Sequence, residues 1–143
     1  MSAKLRIVLD TNIFVSGLIR SEGPPGRILK ALRAGEFILV TSRSINEEVL
    51  EVMERPRLRD KYDLSDHLFD VAFLLWERAE VIADLPHAKA SPDPDDDKSL
   101  AAAAAGAAHY LVTGDAADLL SLGEYHGVGI IAPARFLEIL KND

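Results

Sequence analysis

The chain has 143 residues, 48% of them hydrophobic and 27% charged, which suits one globular domain (residues 1–143) that buries roughly 70% of its unfolded surface. It contains no cysteine, so disulfides and thiolate metal sites are excluded, and a reducing, cytoplasmic setting is expected. With 23 acids against 16 bases the net charge is −7, a field that repels nucleic acid and membranes alike, so any anionic substrate must be held by a local basic cluster or by bound cations.

The opening MSAKLRIVLDTN has too short an apolar core for a signal peptide and reads as a first strand closed by Asp10. Residues 25–34 follow as a helix, with prolines at its start and Gly35 as its stop. EFILVTS is a second strand ending at Ser42, and the capping box Ser44-x-x-Glu47 introduces a helix over 45–54. RPRLRDK, residues 55–61, gathers Arg55, Arg57, Arg59 and Lys61; such runs are usually solvated faces, yet this one is the best candidate for a phosphate contact. A helix over 66–79 carries Trp76, expected in the core, and AEVIAD is a third strand. A helix over 96–107, a strand in AHYLVTGD, a strand in GVGIIAP and a final helix opened by Pro133 complete the chain. The most apolar stretch, 100–112, falls short of the roughly 20 residues that span a bilayer, so no membrane partner is expected.

Strands rich in Val, Ile and Leu without clean alternation are buried on both faces, and their alternation with helices predicts a three-layer α/β/α sandwich on a central parallel sheet. Ligands of such sheets bind outside the carboxyl ends of the strands, near the point where strand order reverses. Asp10 closes the first strand, Glu48 stands in the first turns of the helix after the second, and Asp115 lies just past LVT. The aspartate run SPDPDDDKSL, with Asp93, Asp95, Asp96 and Asp97, begins the helix that leads back into that strand, so its acids map to the same edge.

Each of these acids also has a bland reading as a helix cap or turn residue. Glu47 is assigned to its capping box. Glu48 instead borders an apolar stripe of Ile45, Val49, Val52 and Met53, where a carboxylate is costly without a partner. Asp96 stands four residues before Leu100 and shares its face, Asp97 is turned about 100° away, Asp95 precedes the helix as a cap, and Asp93 is an outer ligand or a loop residue. Crowded carboxylates repel one another unless a cation neutralises them, and an oxygen-only set without His or Cys suits Mg²⁺ or Mn²⁺. One or two such ions can activate a water and clamp a phosphodiester. His67, His87, His109 and His126 have no ligand spacing and read as surface or structural. GVGIIA matches G-x-G-x-x-A formally but lacks the acid expected about 20 residues later, so its glycines read as a turn. P-loop and G-x-S-x-G motifs are absent.

VLDTNIFVSGLI, LVTSRSINEEVLEVMERPRL and DPDDDKSLAAAAAGAAHYLVTGDAADLL together resemble the PIN domain family, and more closely its VapC-like ribonucleases, the toxin components of toxin–antitoxin systems. The resemblance runs from Leu5 to Leu140. It implies metal-dependent endoribonuclease activity, with acidic ligands falling on Asp10, Glu48, Asp96 and Asp115 and supporting roles for Thr11, Asn12 and Thr113. It also implies an RNA substrate, a small cognate antitoxin and a homodimer. TGDAADLL carries one residue more than the usual T-G-D-x-D-L-L spacing, which leaves Asp115 in place and takes Asp118 out of register. Two alternatives stand beside this reading. A receiver-like signalling domain needs a lysine just after the last strand, where IIAPAR has none. A catalytically silent PIN-like binding module would have no use for the full set of acids.

Overall fold

The computed structural model describes the backbone of residues 4–83, 94–114 and 119–142, with side chains for all of these except 94–97. Strands β1 (Arg6–Leu9), β2 (Ile38–Ser42), β3 (Glu80–Ile82), β4 (Tyr110–Val112), β5 (Glu124–Tyr125) and β6 (Val128–Ile131) form one sheet in the order β3-β2-β1-β4-β6-β5. Every pairing is parallel except that of β5 with β6. Helices α1 (Thr11–Ile19), α2 (Pro24–Arg33), α3 (Arg43–Met53), α4 (Pro56–Tyr62), α5 (Leu68–Phe73), α6 (Pro94–Ala105) and α7 (Pro133–Asn142) flank the sheet, giving the expected three-layer α/β/α fold. No helix among the described residues is long and apolar enough to cross a membrane.

Ile7, Val8 and Leu9 of β1 and Leu111 and Val112 of β4 are buried, as continuous apolar strands at the centre of a two-sided sheet must be. α1 packs on α2 and α3, α2 also meets α7, and α6 lies over β2, β1 and β4. α2 has prolines in its first turn and ends in a Schellman motif. There Glu36 N–H donates to Ala31 O and Gly35 N–H to Leu32 O, both at 3.0 Å, with Gly35 at φ 75°.

The alanine helix ends the same way with different residues. Ala108 N–H donates to Ala103 O at 2.9 Å and Ala107 N–H to Ala104 O at 3.3 Å, so the left-handed position falls on Ala107, at φ 52°. Gly106, one residue earlier, serves close approach instead, because a Cβ there would collide with Cγ1 of Val40 in β2.

Several expectations need correction. The N-cap of α3 is Ser42, whose hydroxyl accepts from Ile45 N–H at 3.3 Å, so Ser44 lies inside the helix and the Ser44–Glu47 capping box does not form. Glu47 pairs with Arg43 at 3.4 Å instead. The helix expected over 66–79 is three pieces: a 3-10 turn at Leu64–His67, α5, and a π-helical turn at Leu74–Arg78 closed by Ala79 N–H on Leu74 O. Val71, Leu74 and Leu75 take its inner face, which turns Trp76 outward with Phe69 and Phe73; Trp76 is 40% exposed. Asp95 falls within α6, because Pro94 already opens that helix. The basic run, not assigned to any element, is helix α4. The strand β5 was also not expected: it joins β6 through His126 and Gly127, at φ 48° and 83°, the paired positive angles of a two-residue hairpin turn.

On the edge where β1 begins, the Arg6 guanidinium donates to Glu80 Oε2 at 2.6 Å and Oε1 at 2.9 Å, and to Gly106 O from both Nε and Nη2. It thereby ties β3 and the end of α6 to β1 across β2. His109 has the structural role expected of it, accepting from Arg6 N–H at 2.9 Å. The hydrogen bonds and charge of Arg6 hold the Glu80 carboxyl below the ordinary glutamate range, against a smaller opposing effect of burial. A depressed folded-state pKa gives stability that is present above the unfolded value and is lost as pH falls through the folded one. The Tm difference between the wild type and Glu80→Gln should therefore be constant above about pH 5 and shrink below about pH 4. At the end of α6, neighbouring substitutions should act in opposite directions. Gly106→Ala should cost about 1–3 kcal/mol through overpacking, whereas Ala107→Gly should raise stability by about 0.5 kcal/mol by relieving the left-handed alanine. Urea denaturation of the two variants would check both signs.

Candidate functional site

The order β3-β2-β1-β4-β6 reverses direction between β1 and β4, and their carboxyl ends lie side by side. The ladder runs one step beyond the strands: Asp10 N–H donates to Val112 O and Thr113 N–H to Ile131 O, each at 3.0 Å. Asp10 and Thr113 are thus neighbours fixed by backbone. Thr113 is fully buried, Asp10 only 7% exposed, and the Thr113 hydroxyl donates to Asp10 Oδ2 at 3.0 Å.

Asp10 also begins α1. Its carbonyl accepts from Ile13 N–H at 2.9 Å, but its side chain makes no capping hydrogen bond. The bland reading of Asp10 as a side-chain cap therefore fails, and the carboxylate accepts from Thr113, just past β4, instead. Thr11 is buried at the start of the same helix, and Asn12 is exposed.

Glu48 is set by the phase of α3. Ile45, Asn46, Val49 and Met53 face inward, with Val52 partly buried beside them. The inward face thus includes a polar residue that its hydropathy did not suggest. Asn46, fully buried, accepts from Thr41 Oγ1 at 2.8 Å and donates to Leu75 O at 3.1 Å, pinning α3 to β2 and to the π turn. With that face fixed, the Glu48 side chain is 19% exposed and those of Glu47 and Glu51 are 60% exposed, as the expected border position requires.

The partner of Glu48 is Lys98 on α6, whose Nζ donates to Glu48 Oε2 at 2.7 Å. Sequence reasoning did not single out Lys98; its position two residues after Asp96 in an acidic run was the available signal. Ser44, Glu47, Glu48, Glu51, Arg55 and Lys98 line a cleft of about 410 Å³. Arg55 enters it through an ion pair with Glu51 at 3.0 Å.

Of the remaining expected ligands, Asp93 and Asp115 lie outside the described residues, as does Asp118. Asp96 is placed by its backbone on α6, and its side chain lies outside the described set. Of the basic residues, Arg55 precedes α4 and Arg57, Arg59 and Lys61 lie on that exposed helix, with Arg59 beside Asp60 at 3.3 Å. His87 also lies outside the described residues.

What these groups can do follows from their type. Among the described residues no three carboxylates or imidazoles cluster closely enough to hold a metal ion; Asp10 and Glu48 are oxygen donors of the kind a hard divalent cation takes. Lysine and arginine at the rim suit a phosphate. The model of the PIN domain family matches residues 6–117. An uncharacterized protein of Methanocaldococcus jannaschii is 30% identical over 119 residues, which are 83% of this chain and 76% of that protein.

The Glu48–Lys98 pair is partly buried, so it should contribute more than an exposed pair. Lys98→Met should destabilise by about 1–3 kcal/mol by leaving Glu48 without this ion pair, while Glu47→Gln should stay within about 0.5 kcal/mol. A double-mutant cycle of Lys98→Met with Glu48→Gln, read by urea unfolding, measures the coupling; additive effects would show that the contact contributes nothing.

Proposed function

The chain belongs to the PIN domain family, whose members are generally nucleases, and from that premise we propose that it is a metal-dependent endoribonuclease, the toxin of a toxin–antitoxin pair. The observation that carries this reading is the buried Asp10 carboxylate. It is held by Thr113 at the switch point of the sheet and serves no helix cap. Family membership sets the receiver-like alternative aside.

In this reading Asp10, Glu48, Asp96 and Asp115 hold Mg²⁺ or Mn²⁺, with Asp93 as an outer ligand. The described members fit such an ion in donor chemistry, and the Glu48–Lys98 pair shows how one carboxylate is balanced when Lys98 supplies the positive charge. A bound divalent ion supplies a polarised phosphoryl oxygen and an activated water. The chain's own residues do the rest. Thr113 holds the Asp10 carboxylate in one orientation, and Thr11 and Asn12 support the turn that carries it. Lys98 steadies Glu48, and its ammonium at the rim of the cleft would meet a substrate phosphate. The protein works in the cytoplasm as a homodimer. A small antitoxin inhibits it by inserting an arginine against the acidic edge.

Purified protein incubated with mixed RNAs should cleave them with Mn²⁺ and not with EDTA; cleavage that survives exhaustive chelation would overturn the mechanism. Asp10→Asn, Glu48→Gln and Asp96→Asn should each abolish cleavage, whereas Asp95→Asn and Asp97→Asn should leave it nearly intact. Mn²⁺ at about a hundred times its dissociation constant should stabilise the native state by about 2.7 kcal/mol, and Asp10→Asn should remove most of that gain. Expression of the chain alone should arrest growth, and co-expression with the product of the adjacent small gene should relieve it.

A further inference from the structure

Beyond the acidic cleft, further recesses lie along α4. Arg55 lines both that cleft and a second recess of about 410 Å³, whose other walls include Arg57, Lys61 and Tyr62. Tyr62 in turn lines both the second recess and a third, of about 490 Å³, formed with Arg20 and the Pro24–Pro25 start of α2. Each recess thus shares a wall residue with the next, and the three form a groove-like series that leads away from Glu48 and Lys98.

The groove changes character along its length. Its inner end is acidic, with Glu47, Glu48 and Glu51, and its outer course carries Arg20, Arg57 and Lys61. Among the described residues, none of these three cations has a carboxylate partner, in contrast to Arg43, Arg55, Arg59 and Lys98. Three such cations lining neighbouring recesses, on a chain of net charge −7, are a local exception to the field of the whole molecule.

Between these cations stands Tyr62, 39% exposed, with Lys61 Nζ lying 5.3 Å from its ring centroid. It ends a helix with no buried residue, so the core does not account for an aromatic side chain there. An exposed aromatic ring among lysine and arginine side chains is what a single-stranded nucleic acid uses: phosphates meet the cations and an unstacked base lies on the ring. A duplex keeps its bases stacked inside and offers no such face.

We propose that this groove is the substrate track: single-stranded RNA runs over α4 with one base stacked on Tyr62 and its phosphates on Arg20, Arg57 and Lys61, and so reaches the acidic cleft. This rests on the endoribonuclease reading, and it adds the residues that carry the strand, with Tyr62 as the base platform and Arg20, Arg57 and Lys61 as its phosphate contacts.

The test separates binding from chemistry. Fluorescence anisotropy in EDTA measures affinity for a labelled single-stranded RNA of about twelve nucleotides and for its duplex. The single strand should bind more tightly than the duplex. Tyr62→Ala should weaken single-strand binding roughly five- to a hundredfold, and Tyr62→Phe should retain it. Arg57→Ala should weaken binding and reduce the slope of log affinity against log salt by about 0.7. Lys141→Ala, on the exposed end of α7, should change neither. Equal affinity for duplex and single strand, or binding indifferent to both Tyr62→Ala and Arg57→Ala, would overturn the track, including the case in which this face instead receives a protein. The two readings fail differently. Tyr62-dependent binding without cleavage in Mn²⁺ would sink the nuclease and keep the track, whereas cleavage with no dependence on Tyr62 would do the reverse.

Discussion

The parallel pairing of β1 with β4 is the contact on which the rest depends. These two strands are distant in sequence, and their register sets Leu9 opposite Val112. One further backbone hydrogen bond, from Asp10 N–H to Val112 O, then places a carboxylate beside a threonine hydroxyl at the point where the strand order reverses. A slip of one residue in that register would turn every side chain to the opposite face and separate Asp10 from Thr113. This register supplies a hydrogen-bond donor that offsets part of the cost of burying the Asp10 carboxylate.

The two edges of the sheet divide the labour. On the edge where the strands begin, Arg6 gathers Glu80 and the carbonyl of Gly106, charges and dipoles that satisfy one another. On the opposite edge the Asp10 side chain makes no helix cap, and Glu48 takes its lysine from a different helix. α6 serves both edges. Its end approaches β2 closely enough to require glycine at position 106, and its first turns carry Lys98 to Glu48. The small alanine side chains between those two ends let the helix lie flat across β2, β1 and β4.

Much of this was legible beforehand, and the misreadings have physical causes. Five of the six strands were visible as Val-, Ile- and Leu-rich runs, the central ones because a sheet covered on both faces admits little else and the exposed edge strand β3 through its β-branched Val81 and Ile82. The two-residue β5 was too short to carry a pattern. Trp76 was misplaced because both faces of its segment are apolar, so periodicity could not say which met the core. Ser42 and Ser44 are both competent N-caps, and hydrogen bonding decided between them only where β2 gave way to α3. The basic run was noticed as charge but not as a helix, since α4 buries none of its residues and has no apolar stripe to read.

For the candidate site, the sequence by itself determined the residue types: acids at strand ends and helix starts, no thiol or imidazole set beside them, and the border position of Glu48 on its helix. These follow from local period and residue type, which one-dimensional order preserves. Only the tertiary structure decided the pairings. Thr113 with Asp10 and Lys98 with Glu48 join residues 103 and 50 positions apart, and the groove past Tyr62 is assembled from α1, α2 and α4. Such partners are chosen by strand register and helix packing, and neither is written in the spacing of a single segment.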